Sequence, residues 1–277
     1  MTIQQALDFA YRQLTGSSPS AVIDAQILLS HVLQCNSAHL IAWPEKNLNS
    51  EQLEEYQSLI AQRQQGRPVA HITGQREFWS LNFAVDDSTL IPRPETETLI
   101  EFILQNFGDR AKIKLLDMGT GTGAIAITLA SEKPAWQVHA SDISSDALTL
   151  AKKNSLANQT ETISFIHSDW FASIGEKNFD IIVSNPPYIA AADPHLQQGD
   201  VRFEPLSALT AGISGMDDIE HLCALAKDYL DENGWLIVEH GYEQKRLVAE
   251  CFEQYGYLDI TQVKDLSGHT RMTAGKR

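Results

Sequence analysis

LLDMGTGTGAIAITLA, residues 115–130, is the stretch that decides the architecture. An apolar run closes on Asp117 and Met118, glycines come next at Gly119, Gly121 and Gly123, and an alanine-rich apolar segment opens at Ala124. That order reads as strand, tight turn and helix start, with glycines where the backbone must turn, approach a ligand and let helix pack on strand. Working outward from about residue 93, strand-like runs recur: KIKLLDM, WQVHASDI, ISFIHSD, FDIIVSN, WLIVEHG, YLDITQV and RMTAG. Helical stretches lie between most of them, at 144–157, 217–231 and 242–255. Such alternation predicts an α/β domain over 93–277 with a mainly parallel sheet and helices on both faces. The last two runs are joined only by KDLSGHT, too short for a parallel crossover, so that pair is expected to be antiparallel.

Residues 1–70 read differently, as a small helical bundle. Ser18 is the expected N-cap and Pro19 the first helical residue of a segment carrying Val22, Ile23, Leu28, Leu29, Val32 and Leu33. A second helix has Asn49 as its cap, with Gln52 three residues on, then Leu53, Tyr56, Leu59 and Ile60; Gly66 and Pro68 close it. Between the two parts, 71–92 reads as an interdomain hairpin or linker with short strands at Phe78–Trp79 and Leu81–Val85.

Composition narrows the function classes. The chain of 277 residues is 43% apolar and 21% charged, ordinary for a globular protein, and no run of about 18 apolar residues suggests a membrane span. The N-terminus lacks a basic region followed by an apolar stretch, so no secretory signal is expected. Cys35, Cys223 and Cys251 are scattered without metal-ligand spacing, which suits a reduced, cytoplasmic protein and no metal. Lys and Arg number 21 against 36 acids, a formal net charge of −15. Nucleic-acid binders neutralise phosphates with cations, so this balance lowers the expectation of DNA or RNA as the main substrate.

The glycine turn can be read in two ways. As G-x-G-x-x-A, ending on Ala124, it fits a dinucleotide fingerprint; as G-x-G-x-G after Asp117, it fits an S-adenosylmethionine site. Asp142 ends the next strand, where a carboxylate can bond the ribose hydroxyls of either. The turn therefore points to an adenosine-containing cofactor without saying which, and a purely structural turn is the bland alternative. Asp169 and Trp170, in SDW, fall at the same carboxyl edge of the sheet, suited to accept from an adenine amine and to cover its face; packing beneath a loop is the alternative for Trp170.

SNPPYIA, residues 184–190, ends the strand FDIIV and decides between these. Prolines halt a strand and stiffen the chain beyond it. A planar amide or aryl amine nitrogen is a poor nucleophile because its lone pair is delocalised, so methylating it is largely a matter of positioning. The side-chain oxygen of Asn185 and the carbonyl of Pro186 can each accept one N–H of a substrate NH₂, bonds that strengthen as charge builds on nitrogen. Pro187 stiffens the tip, and Tyr188 offers a flat face.

NPPY after a strand, downstream of DMGTGTG, resembles class I S-adenosylmethionine-dependent methyltransferases acting on planar nitrogens. Two groups share the tetrapeptide, one methylating adenine N6 in DNA after base flipping, the other a protein glutamine. Residues 1–90 carry five basic and nine acidic side chains, unsuited to gripping a duplex. REFWSLNF…TLIPRPETE (76–97) and NPPYI…DPHLQQGDVRFEPLSAL (185–209) resemble the release factor glutamine methyltransferase family, over essentially the whole chain. The resemblance implies a Rossmann-like seven-stranded sheet with an antiparallel last strand plus an N-terminal helical domain docking the substrate. It implies transfer of methyl from S-adenosylmethionine, leaving S-adenosylhomocysteine, to N5 of the glutamine in the Gly-Gly-Gln loop of class I peptide chain release factors. By position, Gly119, Thr120, Gly121, Thr122, Gly123, Asp142, Trp170 and Asn185 would contact the cofactor; Asn185, Pro186, Pro187 and Tyr188 would hold the glutamine. The alternatives are an amino methyltransferase of DNA or RNA and a non-catalytic S-adenosylmethionine-binding adaptor.

Four features carry lesser expectations. The stretch 189–215 lacks periodicity and is read as a loop closing over the substrate. Arg202 and Glu204 read as a local ion pair. IPRPETE forms either a site wall or an acid-rich helix start at Pro94. His240 reads as a structural histidine.

Overall fold

A computed structural model describes residues 1–277. It divides into two compact units, one of residues 1–75 with 195–203, the other of 76–194 with 204–277. No helix is long and apolar enough to cross a membrane.

The first unit is helical: α1 (Ile3–Leu14), α2 (Ala21–Leu33), α3 (Ser37–Ala42), α4 (Ser50–Gln64) and α5 (Val69–Thr73). Asn49 and Gln52 form the expected reciprocal cap of α4, each side chain taking the other's backbone N–H at 2.8 and 3.0 Å. The expected cap of α2 is corrected. That helix begins at Ala21, and the hydroxyls of Ser18 and Ser20 instead donate to Asp24 at 2.6 and 2.8 Å. The reason is electrostatic. Asp24 is buried against Arg63, whose Nε donates to it at 2.6 Å, and a buried carboxylate needs every donor in reach. Ile3, Leu14, Leu28, Leu29, Tyr56 and Ile60 fill the core, each large side chain contributing about 1.5–3 kcal/mol on burial.

The second unit opens with a hairpin, β1 (Gln75–Phe78) and β2 (Leu81–Ala84), whose first residue falls in the helical unit. Trp79, expected in a strand, occupies the two-residue turn with Ser80; both have φ near +50 to +60°, the left-handed pair such a turn demands. Trp79 is held there by two carboxylates, its backbone N–H donating to Glu97 and its indole to Glu132. Phe78 and Phe83 enter the sheet's core.

The remaining elements are α6 (Glu97–Phe107), β3 (Lys114–Met118), α7 (Ala124–Glu132), β4 (Gln137–Asp142), α8 (Ser145–Ala157), β5 (Ser164–His167), β6 (Phe179–Ser184), α9 (Asp217–Leu225), β7 (Leu230–Glu239), α10 (Lys245–Gln254), β8 (Leu258–Lys264) and β9 (Thr270–Lys276). Seven strands make one sheet in the order β5-β4-β3-β6-β7-β9-β8. β9 alone runs against its neighbours, as the short β8–β9 connection requires. Successive residues serve opposite faces. Leu115, Ile181, Val183 and Ile237 pack beneath α6 and α7, whereas Leu116, Ile182, Leu236 and Val238 pack beneath α9 and α10. The chain leaves β3 toward β4 on one side and later returns to β6 on the other. Loops after β3 and β6 therefore diverge and leave a crevice at their carboxyl ends.

Candidate active site

A cavity of about 320 Å³ occupies that crevice, within the size range of small-molecule sites. Its floor is the glycine turn. Gly119 and Gly121 have φ of +70 and +54°, and open space lies where a Cβ would project, apart from Thr89 at 4.0 Å from Gly121. Gly123, φ +85°, differs: a Cβ there would stand 2.6 Å from Ile127 and 3.3 Å from Ala151. Gly119, Thr120, Gly121 and Thr122 line the cavity; Gly123 does not, and its lack of a side chain serves the packing of α7 and α8.

Two carboxylates hold the turn. Asp117 is fully buried, taking the Thr120 hydroxyl at 2.6 Å and the Ala126 N–H at 3.2 Å on one oxygen while the other meets no donor. Burial raises its carboxyl to about 7 against those two hydrogen bonds, and Asp142 adds to the rise. Asp142, at the end of β4, accepts from the N–H groups of Gly121 and Ser144, both at 2.9 Å, and lines the cavity. Each of its oxygens keeps a lone pair for a ligand.

Asp169 and Trp170 line the same cavity, as the sheet-edge argument expected. Trp170 has φ +44°, a left-handed conformation costly for an aromatic residue, and its carbonyl accepts from the Ser168 hydroxyl at 2.7 Å. Beside it stands Asp218, from the first turn of α9. Burial, then Asp217, raises the Asp218 carboxyl, while His221 and Trp170 pull it down. Three carboxylates, Asp142, Asp169 and Asp218, thus face one cavity with an indole and the apolar Leu90, Ile125 and Ala147. That set suits a cation carrying a flat, amine-bearing ring.

The fourth wall is the end of β6. Asn185 donates from Nδ2 to the Thr96 hydroxyl at 3.1 Å, and its Oδ1 is shielded and meets no donor. Pro187 lines the cavity beside it. Pro186 and Tyr188, expected to hold the substrate, do not line this cavity. Pro186 is buried, and Tyr188 packs against the α9–α10 side of the core with its phenol donating to Glu239 at 3.4 Å. The strand's last residue and the next alternate in direction, so the tetrapeptide cannot present every side chain to one space.

Segments that sequence reading left open supply the rest. Of IPRPETE, Pro92, Arg93 and Thr96 line the cavity, so it is the site wall, and a short 3₁₀ turn over Pro94–Thr96 leads into α6. Arg93 and Glu204 pair at 2.5 Å, Glu204 being buried and also taking the N–H of Ile91 at 3.4 Å. The expected local pairing is thereby corrected: Glu204 braces the wall, and Arg202 donates to the Gly199 carbonyl and covers the Phe203 ring. His240 is structural, bonded through Nδ1 to the Gly241 carbonyl and through Nε2 to Thr273. Thr89, Ser207 and Asp218 were invisible in sequence because nothing marks lone polar residues that are brought together only by the fold.

Two family models match: a PrmC N-terminal domain over residues 5–74 and a methyltransferase small domain over 96–200. A release factor glutamine methyltransferase of Shewanella oneidensis is 50% identical over 274 residues, covering 99% of this chain and 96% of its own. The Escherichia coli protein of the same description is 44% identical, covering 100% and 99%. Among solved structures, a methyltransferase from Pyrococcus furiosus superposes with TM-score 0.54 at 18% identity, over 79% of this chain and 96% of its own. The hMettl16 catalytic domain bound to an RNA hairpin gives 0.56 at 18%, over 79% and 81%. At that identity the two structures speak for a shared fold alone.

Proposed function

Because this chain belongs to the release factor glutamine methyltransferase family, we propose that it transfers a methyl group from S-adenosylmethionine to N5 of the glutamine in the Gly-Gly-Gln loop of class I peptide chain release factors, in the cytoplasm. The observation that carries the reading is the Asn185 carboxamide. Its nitrogen is committed to Thr96, and its buried oxygen lacks a donor at the wall of the cavity. A buried acceptor left unmatched costs about 1–3 kcal/mol, and a substrate NH₂ is the partner that restores it.

The residues fit the cofactor. The open sides of Gly119 and Gly121 give room for backbone approach, Asp142 would take the ribose hydroxyls, and Trp170 with Asp169 would cover and bond the adenine. When bound, S-adenosylmethionine supplies an electrophilic methyl on a sulfonium. The carboxylates of Asp142, Asp169 and Asp218 favour such a cation over the neutral product by ordinary Coulomb attraction. Asn185 holds the amide nitrogen by accepting one N–H, and that bond strengthens as the nitrogen gains positive charge. The Pro186 carbonyl is proposed as the second acceptor and Tyr188 as a support for the substrate tip. Held in this way the substrate nitrogen would receive the methyl as its bond to sulfur is given up, and, acidic once alkylated, would release its proton to water.

Substrate docking belongs to the helical unit in this proposal. Tyr11, Val22 and Ile41 are exposed around an apolar groove, with Ile23, Ile27 and Trp43 exposed nearby. Incubation with labelled S-adenosylmethionine and either a release factor or DNA tests the reading. Label in the release factor glutamine is expected; label in DNA, or in neither, rejects it.

A further inference from the structure

An asparagine carboxamide can present either end to its ligand, and for this chemistry only one end serves. With Nδ2 toward Thr96, the oxygen is left for a substrate N–H. Turned half round, its own NH₂ would face a substrate NH₂, two donors with nothing to accept them. Thr96 therefore selects the orientation, but a hydroxyl can accept or donate, so something must set its polarity in turn.

Glu239 stands beside Thr96. It ends β7, is 1% exposed, accepts the Tyr188 phenol on Oε1 at 3.4 Å, and has a shielded Oε2 that meets no donor, while the Thr96 side chain lies near enough to draw its pKa down. An ionised carboxylate has no proton to give and can only accept. We propose that Thr96 and Glu239 are positioning residues for methyl transfer: Glu239 takes the hydrogen bond of the Thr96 hydroxyl, which commits the Thr96 oxygen to the Asn185 NH₂ and turns the Asn185 oxygen to the substrate amide. This rests on the glutamine-methylation reading above.

The device is directional only while Glu239 is charged. Protonated, it can donate to Thr96, whose hydroxyl is then released to donate to the Asn185 oxygen, and the carboxamide reverses. Burial lifts the Glu239 carboxyl to about 7; Thr96, Arg271 on β9 and Tyr188 after β6 pull it down, and Glu95 beside Thr96 pushes it up. Competence for transfer is lost as pH falls through that value, since acid removes the acceptor. No metal or base is required for the effect, and Glu239 does not line the cavity.

Three variants test the assignment. Thr96→Val keeps the volume and deletes the hydroxyl; kcat is expected to fall about 10–100-fold, with KM for the release factor nearly unchanged. Thr96→Ser should recover most of that loss, which a packing role would not explain. Glu239→Gln should erase the acid limb of the kcat–pH profile near neutrality. In the cofactor-free protein, the side-chain NH₂ protons of Asn185 should exchange with solvent faster in Thr96→Val than in wild type by NMR. Equal kcat for wild type and Thr96→Val, or a Thr96→Ser as impaired as Thr96→Val, overturns the proposal. If Thr96→Val does not fold, an unshifted Glu239→Gln profile overturns it instead. Absence of transfer by the wild type would defeat the functional reading itself, whereas the exchange measurement judges the Thr96–Asn185 geometry independently.

Discussion

Asn185 shows how a single side chain can be judged by what it lacks. Asn185→Ala removes the acceptor but little of the cavity, so kcat should drop about 10²–10³-fold while the S-adenosylmethionine Kd, followed by calorimetry, changes only severalfold. The glycines separate in a similar manner. Gly123→Ala meets Ile127 and Ala151 at a left-handed φ, and should lower stability by more than about 1–2 kcal/mol in thermal unfolding. Gly119→Ala carries the backbone strain without the collision, and its added methyl projects into open space, so its larger effect should be on cofactor affinity. Residues that stand together in sequence were the legible part of the site: the glycine turn, Asp142, Trp170 and Asn185 mark the cavity, with Gly123 alone turned to packing. Thr96 and Glu239 were not legible, because their meaning lies in distant neighbours rather than in a local pattern. Thr96 meets Asn185 across 89 positions of chain, and Glu239 meets Tyr188 across 51.

At the scale of elements, the alternation of apolar runs gave the parallel sheet, and the brevity of KDLSGHT gave the reversed last strand. The stretch 189–215 was opaque because its order is not periodic. It folds as three 3₁₀ turns, Pro194–Gln197, Gly199–Phe203 and Leu206–Ala208, and the middle of it counts with the helices. What secures it there is Arg63, buried, which bonds Asp24 and, at 2.8 Å, Asp200, along with the carbonyls of Gly66 and Arg67. Removing one partner of a buried pair strands the other charge. Arg63→Ala should therefore destabilise the helical unit by about 3–5 kcal/mol, seen as earlier protease cleavage within residues 1–75. Ser18, read from the sequence as a helix cap, was part of this same arrangement, and no rule of helix ends could have revealed a carboxylate awaiting it.

The whole molecule carries its acidity unevenly in effect. Buried His139 packs edge-on against Phe179 with both ring nitrogens unpartnered, and burial followed by Lys114 lowers its pKa. His240 is likewise lowered by burial. The folded chain keeps these rings neutral, while an unfolded histidine takes a proton below about 6.5, so acid favours the unfolded state. Asp117 and Glu239 act in the opposite sense: their stabilising contribution is full below the unfolded carboxyl range of about 4 and fades as pH rises to about 7. His139→Leu should accordingly gain on wild type in Tm as pH falls from about 7 to 5, because it deletes one of the acid-sensitive groups. A constant difference across that range would contradict the burial argument.

Residues 195–203 leave the sheet unit at Pro194 and rejoin it at Glu204, having been housed meanwhile among the helices. The protein is consequently stitched rather than strung: its amino-terminal quarter is no removable appendage. A fragment beginning at Arg76 would still contain Asp200 yet have lost Arg63, leaving a loose span between Asn185 and the Glu204 that props Arg93. Trimming the front of this chain should therefore disturb the chemistry at its back.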